Sequence, residues 1–169
     1  MRFNKFVAPL VAVILSLPAM ASGDHAGGHG AAANPHAGHD MQAMTLGQAG
    51  QSAAATRTIR IDADDSMRFT PDRVEVKQGE TVRFIVTNKG QTKHEFALGT
   101  KEMLAEHAKQ MQSNPGMAHG DMPAMGMLTL APGESKTLVW RFTRTGEIQF
   151  GCNVPGHYPT MTGTLKVVS

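Results

Sequence analysis

Short segments of alternating apolar and polar residues, separated by turns that contain glycine or proline, dominate the chain from Thr56 onward. The first is TRTIRIDA at Thr56–Ala63, and RVEVKQGETVRFIVTN follows with two alternating runs around a Gln78-Gly79 turn. Later segments of the same kind are SKTLVWRFT, GEIQFGC and TGTLKVV. Such alternation places apolar side chains on one face of a strand, and many short strands with regular turns are typical of sandwiches and barrels. The sequence therefore predicts an all-β, antiparallel domain over residues 56–169.

One segment interrupts this pattern. KEMLAEHAKQMQ at Lys101–Gln112 consists of good helix formers, and Asn114-Pro115-Gly116 predicts the end of that helix. The following Met117–Met127 is rich in methionine, glycine and proline. We therefore expect a helical, Met-rich insertion at about residues 99–127 between two strands. A connection of that length inside a compact domain is usually functional or disordered.

The first 21 residues have the order of a secretory signal peptide. Arg2 and Lys5 precede the apolar run Phe6–Leu17, and Ala19-Met20-Ala21 supplies the small residues of a cleavage site. The apolar run is too short to anchor the chain in a membrane, and no cysteine follows the cleavage site to carry a lipid. We expect cleavage after Ala21, export to the periplasm and no membrane span in the mature chain.

Residues 22–55 consist mainly of glycine, alanine, serine and glutamine, with no aromatic residue and one leucine. Such a segment buries too little apolar surface to offset the entropy lost on ordering, so we predict a disordered tail that contains histidine and methionine. The whole chain has 16 Lys and Arg against 14 Asp and Glu. Loss of Arg2 and Lys5 with the signal peptide equalises these numbers, which argues against a nucleic-acid partner.

The strongest chemical signal surrounds the single cysteine. One cysteine excludes an internal disulfide, a CxxC redox pair, a four-cysteine zinc site and a two-cysteine dinuclear copper centre. Cys152, His157 and Met161 stand in one predicted loop, FGCNVPGHYPTM at Phe150–Met161. Two histidines, a thiolate and a weak axial methionine form the electron-transfer type of copper site. His94 is the candidate second histidine, because a sandwich can bring it to the same end as the loop.

With these residues the chain resembles the cupredoxins, the small blue-copper proteins. The resemblance covers Thr56–Ser169, including FTPDRVEVKQGETVRF at Phe69–Phe84 and the two segments that carry the candidate ligands. The spacing Cys-x4-His-x3-Met is more similar to that of azurins than to that of plastocyanins, whose ligand loop is shorter. The resemblance implies a Greek-key cupredoxin fold and one type 1 copper ion. Its ligands would be His94, Cys152, His157 and Met161.

One residue departs from the cupredoxin pattern. Azurins and plastocyanins usually have asparagine after the first histidine ligand, whereas this chain has Glu95. The substitution removes the amide that usually ties the two ligand segments together. The colour and the reduction potential of the site therefore do not follow from the resemblance.

The same comparison favours a binding or electron-transfer protein over an enzyme. A multicopper oxidase needs histidines on both sides of the cysteine for its trinuclear cluster, and Gly151 and Asn153 occupy those positions. A copper nitrite reductase needs a second cupredoxin domain, and this chain has room for one. No Ser-His-acid or zinc motif with regular spacing is present.

Further histidines and methionines are candidates for accessory copper binding, since imidazoles bind Cu(II) and thioethers prefer Cu(I). The tail and the insertion contribute His25, His29, His36, His39, Met103, His107, Met111, Met117, His119, Met122, Met125 and Met127. Three alternatives remain open. The tail is a solvated linker in the first, and in the second Met103 and Met111 belong to a core-facing helix stripe in which His107 is incidental. In the third, the methionines of Met117–Met127 serve only for packing.

The leading interpretation is a periplasmic copper-binding protein of copper tolerance. The signal peptide, the His-rich tail and the Met-rich insertion are together similar to the periplasmic copper-tolerance cupredoxins. Its partners would be copper ions and copper-efflux or redox proteins of the periplasm. The alternative is a soluble periplasmic electron carrier that uses the same copper to serve a reductase or an oxidase. The tail and insertion favour the first, and an exposed apolar patch around His157 would favour the second.

Overall fold

The computed structural model describes residues 41–114 and 120–169, in which ten strands form two five-stranded sheets. The strands are β1 (Gly47–Ala49), β2 (Arg57–Asp64), β3 (Arg68–Thr70), β4 (Arg73–Lys77), β5 (Thr81–Asn88), β6 (His94–Gly99), β7 (Met127–Leu130), β8 (Ser135–Phe142), β9 (Gly146–Gly151) and β10 (Thr162–Val168). The helices are α1 (Met41–Thr45) and α2 (Lys101–Ser113), with short 3₁₀ turns at Ser52–Ala54 and Pro123–Met125.

The first sheet has the strand order β1-β8-β5-β2-β3, and the second has the order β4-β10-β9-β6-β7. The all-β sandwich that the sequence predicts is confirmed. Among the described strands, pairing is antiparallel except for β2 with β5 and β4 with β10, which are parallel. The reason is that β4 lies in the second sheet while its chain neighbours β3 and β5 lie in the first. Strands separated by such a crossing are not joined by a hairpin, which would force antiparallel pairing.

The core lies between the two sheets and is built from the inward faces of their strands. The alternation in β5 is typical, since Val82, Phe84 and Val86 are all fully buried. Aromatic rings bridge the sheets in edge-to-face pairs, with Phe69 at 5.9 Å from Phe96 and 5.4 Å from Phe150 between ring centroids. Each such side chain contributes about 1.5–3 kcal/mol through burial. The core therefore holds the β6 and β9 strands, from which the candidate ligands extend, in a fixed relation.

The structure differs from the expected disordered tail over residues 41–55. These residues form α1, β1 and a 3₁₀ turn, and β1 pairs with β8 so that Gly47 lies opposite Phe142. Leu46, the single leucine of the segment, is buried, and its carbonyl oxygen accepts hydrogen bonds from the backbone of Thr143 and Arg144. The buried side chains of Thr45 and Leu46 and the edge of β8 order this stretch, although its composition is unfavourable.

Helix α2 occupies the predicted insertion between β6 and β7. Its first turn is capped by Thr100, whose hydroxyl oxygen accepts a hydrogen bond from the Met103 backbone at 3.2 Å. Its buried face carries Leu104, Ala108 and Met111. This face covers the outer side of the second sheet, where the glycines of β6 and β9 leave space for the helix side chains.

Several sequence predictions lie outside the described residues. They are the signal peptide, the tail before residue 41 with His25, His29, His36 and His39, and Met117 and His119 of the insertion. Among the residues that are described, no helix has the length and apolar character needed to cross a membrane.

Candidate metal centre

Three soft or borderline donor atoms converge at one end of the sandwich. The Sγ atom of Cys152 lies 3.3 Å from Nδ1 of His157 and 4.0 Å from Nδ1 of His94. The candidate donor atoms of the three residues all lie within 4.8 Å of one another. A thiolate and two imidazoles with their Nδ1 atoms facing the same space form a donor set that suits copper.

Two strand ends and one loop bring these residues together. His94 is the first residue of β6, and Cys152 follows directly after β9. The loop between β9 and β10 folds back on itself, because the Cys152 amide donates to the Met161 carbonyl at 3.1 Å and the Met161 amide donates to the His157 carbonyl at 2.9 Å. The sandwich therefore fixes both ends of the ligand loop as well as the histidine opposite it.

Cys152 is completely buried. Burial raises the pKa of its thiol to about 11, although the backbone N–H groups of Glu95 and Val154 favour the thiolate. The Glu95 amide donates to Sγ at 3.2 Å. The metal-free protein thus holds a neutral thiol at physiological pH, and a bound cation must displace its proton.

The two histidines differ in their surroundings. His94 is fully buried, and its Nε2 atom lies 3.1 Å from Oδ1 of Asp65. His157 is half-buried, and desolvation together with the nearby His94 lowers its pKa below the usual range. A lowered pKa keeps His157 neutral and available as a metal donor at neutral pH.

Met161 is fully buried and belongs to the same apolar cluster as Cys152. Backbone hydrogen bonds join Met161 to Cys152 and to His157. The folded loop therefore holds the backbones of all three predicted ligands close together. The apolar residues around this end of the core exclude water from the sulfur atoms.

Glu95 occupies an unusual environment for a carboxylate. The side chain is fully buried, and neither carboxylate oxygen has a hydrogen-bond partner among the described residues. Burial raises its pKa, and the positive charge of Lys93 opposes this shift. Without an amide side chain at this position, the Glu95 backbone N–H connects the two ligand segments by donating to Sγ of Cys152. The Asn153 side-chain amide connects the cysteine loop to helix α2 instead, since it donates to the Leu104 carbonyl at 2.7 Å.

Comparison with known proteins agrees with this geometry. Residues 55–168 match the family described as copper binding proteins, plastocyanin/azurin family. The chain belongs to this plastocyanin/azurin family. The resemblance that the sequence predicts is therefore confirmed, and copper is the metal that this protein takes as its cofactor.

Two relatives whose alignments cover most of this chain carry the name copper-resistant cuproprotein CopI. The one from Rubrivivax gelatinosus is 40% identical over 169 residues, which cover 97% of this chain and 98% of the relative. The one from Pseudomonas aeruginosa is 38% identical over 151 residues, which cover 73% of this chain and 83% of the relative. Both relatives therefore resemble this chain in sequence over most of its length, and not in fold alone.

Solved structures show the same fold at lower identity. Auracyanin B has a TM-score of 0.59 at 21% identity and covers 73% of this chain and 95% of its own. Auracyanin A, a blue copper protein from Chloroflexus aurantiacus, has a TM-score of 0.55 at 23% identity and covers 65% of this chain and 97% of its own. The plastocyanin/azurin sandwich is thus the architecture of this chain.

The accessory candidates that the structure describes do not lie in one environment. Met111 and Met127 are buried, Met103, His107 and Met122 are half-buried, and Met125 is 44% exposed. Met103 packs against Gly99, and Met111 lies on the buried face of α2 beside Leu104 and Ala108. For Met111 the core-stripe alternative therefore describes the packing well, whereas Met125 lies at the surface.

Sequence reasoning missed Asp65, whose carboxylate contacts His94. It lies in the three-residue turn Asp65–Met67 between β2 and β3, which has no recognisable ligand motif. Backbone hydrogen bonding from Gln91, followed by the hydroxyl of Thr92, holds the pKa of Asp65 well below its usual range. Only the topology, which places this turn beside the loop that precedes His94, reveals the contact.

Proposed function

We propose that this protein is a periplasmic copper-tolerance protein that holds one type 1 copper ion and acts as a binding protein rather than an enzyme. The observation that carries the proposal is the cluster of His94, Cys152 and His157, with donor atoms within 4.8 Å of one another. Met161 would supply the weak axial thioether. Relatives named copper-resistant cuproproteins support the physiological role.

Each part of the chain has a definite task in this proposal. The strand ends and the ligand loop hold the two Nδ1 atoms and the sulfur within 4.8 Å of one another, so a metal ion meets a preorganised donor set. The buried position of Cys152 and Met161 keeps water away from the sulfur ligands. When bound, copper supplies a centre that exchanges one electron between Cu(I) and Cu(II) with little change in its ligands.

The proposal is tested by copper stoichiometry and visible spectra of the purified protein, followed by growth of a deletion strain on excess copper. We expect an intense thiolate-to-copper band in the protein. We also expect the deletion strain to be copper-sensitive and the wild-type gene to restore its copper tolerance. Cys152→Ser should abolish the band while retaining the fold, because the sandwich core does not depend on one loop thiol. Normal copper tolerance of the deletion strain, combined with a coloured protein, would favour the electron-carrier alternative instead.

We also propose that the histidines of residues 22–40, together with the half-buried Met122 and the exposed Met125 of the insertion, take up additional copper. Met125 supports this part, since 44% of its surface is exposed to solvent and thioethers are suitable ligands for Cu(I). The test is Cu(I) binding by a Met122→Leu/Met125→Leu variant, which we expect to fall while the visible band stays unchanged. The matched control is Met111→Leu, because leucine replaces that buried side chain without removing an accessible sulfur.

Export is the last part of the proposal. Residues 1–21 would direct secretion and be removed after Ala21. The mass of the protein recovered from a periplasmic extract gives a direct test, since retention of Arg2 and Lys5 in that extract would contradict cleavage.

A further inference from the structure

The side chain of Asp65 connects two loops at the copper end of the sandwich. Its carboxylate accepts hydrogen bonds from the Gln91 amide at 2.6 Å, the Thr92 hydroxyl at 2.7 Å and the Thr92 amide at 3.3 Å. The same carboxylate lies 3.1 Å from Nε2 of the buried His94. The turn between β2 and β3 is therefore linked directly to the residue that begins β6.

The orientation of the His94 ring gives this contact its chemical meaning. Nδ1 faces Cys152 and Nε2 faces Asp65, with the Thr92 hydroxyl at the longer distance of 3.5 Å. A metal needs the unprotonated nitrogen, and the partner of the opposite nitrogen decides which one that is. A carboxylate at Nε2 accepts the ring N–H, and this leaves the Nδ1 lone pair directed at the metal space.

We propose that Asp65 is a positioning residue for the copper site, which fixes the tautomer of His94 and lowers the reduction potential by favouring Cu(II). This inference rests on the proposed function, since it assumes that His94 binds copper. A carboxylate that accepts the N–H of a ligand imidazole makes the other nitrogen a stronger donor. Its negative charge also stabilises the more positive oxidation state, although exposure of 37% of the Asp65 side chain to solvent weakens this effect.

A substitution at Gly90 offers a second, independent way to disturb the contact between Asp65 and His94. A Cβ atom at this position would overlap Oδ1 of Asp65 and come within 3.1 Å of the Asp65 backbone nitrogen, so the Gly90→Ala side chain would push the carboxylate away while Asp65 itself remains. The glycine is thus what leaves room for the carboxylate between the two loops. Displacement of the carboxylate and its removal should have the same effect on His94.

The experiment is a redox titration of the visible band in four variants of the full mature protein. Asp65→Asn keeps an acceptor oxygen but removes the charge, Asp65→Ala removes both, and Gly90→Ala displaces the group. Asp62→Asn is the matched control, because it also removes one carboxylate charge, from β2, but leaves the Asp65 side chain that contacts His94 unchanged. We expect Asp65→Ala to weaken Cu(II) binding relative to Cu(I) by about tenfold, which is about 59 mV upward for a one-electron couple. Asp65→Asn and Gly90→Ala should shift the potential in the same direction, and Asp62→Asn should not.

A copper-free measurement separates positioning from general stability. Nitrogen-15 NMR of the metal-free protein should show His94 protonated at Nε2 in the wild type and a mixture of tautomers in Asp65→Ala. If Asp65→Ala does not fold, Asp65→Asn and Gly90→Ala decide the matter. Unchanged potentials in a coloured Asp65→Asn and Gly90→Ala, or an equal shift in Asp62→Asn, would overturn the inference. A wild-type protein without a thiolate band would refute the proposed function instead.

Discussion

The proton and the metal compete for one sulfur atom at Cys152. The thiol is fully buried and its pKa is raised from 9.0 to about 11, so the folded protein retains this proton where the unfolded chain loses it. Between these two pH values the folded state binds more protons than the unfolded state. Stability must therefore fall as the pH rises through this interval.

This leads to a prediction for the metal-free protein. Its free energy of unfolding should decrease by about 2–3 kcal/mol between pH 9 and pH 11 on account of Cys152, since each pKa unit corresponds to about 1.4 kcal/mol. Denaturant unfolding of wild type and Cys152→Ser at both pH values measures the effect. Tyr158, whose pKa burial also raises, is present in both proteins and cancels in the difference. Parallel pH curves for the two proteins would show that the thiol is not protected in this way.

The two kinds of proposed ligand should respond differently to substitution. Met161→Leu keeps the buried apolar volume and should retain copper and colour, with a raised reduction potential, because loss of the weak thioether disfavours Cu(II). His94→Ala removes an equatorial donor and should weaken copper binding far more. Copper affinity and redox titration of both variants provide the measurement. Equal and mild effects of the two substitutions would mean that these ligands are assigned wrongly.

The sequence identifies the cysteine loop because its three candidate ligands are close together along the chain. Cys152, His157 and Met161 form a linear motif with recognisable spacing, and only His94 requires knowledge of the fold. Asp65 could not be found in this way. Its contact with His94 depends on which two turns the sandwich places side by side, and an aspartate in a polar turn has no pattern of its own.

At the scale of elements, alternation predicts the strands that bury one face, including the edge strand β4, but not the short edge strand β1. β5 and β8 follow the pattern, since their buried residues alternate along the strand. β1 has only three residues, Gly47–Ala49, and two of them are exposed. Its pairing with β8 comes from backbone groups, which composition does not reveal. The parallel pairs also depend on the crossing between sheets rather than on any local pattern.

The anchoring of β1 can be tested at Leu46. Leu46→Ala should destabilise the protein by about 2 kcal/mol or more, as expected for a buried leucine that leaves a cavity. Gly146, whose Cβ position would lie 3.2 Å from the leucine side chain, marks the surface that would lose its contact. Thermal or denaturant unfolding gives the measurement, and Gln48→Ala, at an exposed position of the same strand, serves as the control. A change no larger than that of the control would show that the Leu46 side chain does not anchor β1 to the sandwich.

At the scale of the whole molecule, the ordered stretch from residue 41 changes where the chain can be cut. A deletion of residues 22–40 removes His25, His29, His36 and His39 and leaves α1 and β1 in place. A deletion of residues 22–52 removes the same histidines and also the strand that pairs with β8. Comparison of the two deletions therefore separates copper capture by the tail from its attachment to the sandwich.

We predict that the 22–40 deletion binds fewer copper ions than the full mature protein and keeps the same visible band and melting temperature. The reason is chemical, since the tail contains no cysteine and copper held by its imidazoles gives no thiolate charge-transfer band. The 22–52 deletion should lose the same number of ions and in addition melt at a lower temperature, because Leu46 and β1 are absent. Metal analysis, visible spectra and calorimetry of the three proteins measure these quantities. A full-length protein that holds a single copper ion, and whose 22–40 deletion confers unaltered copper tolerance, would remove the tail from the proposal and favour the electron carrier.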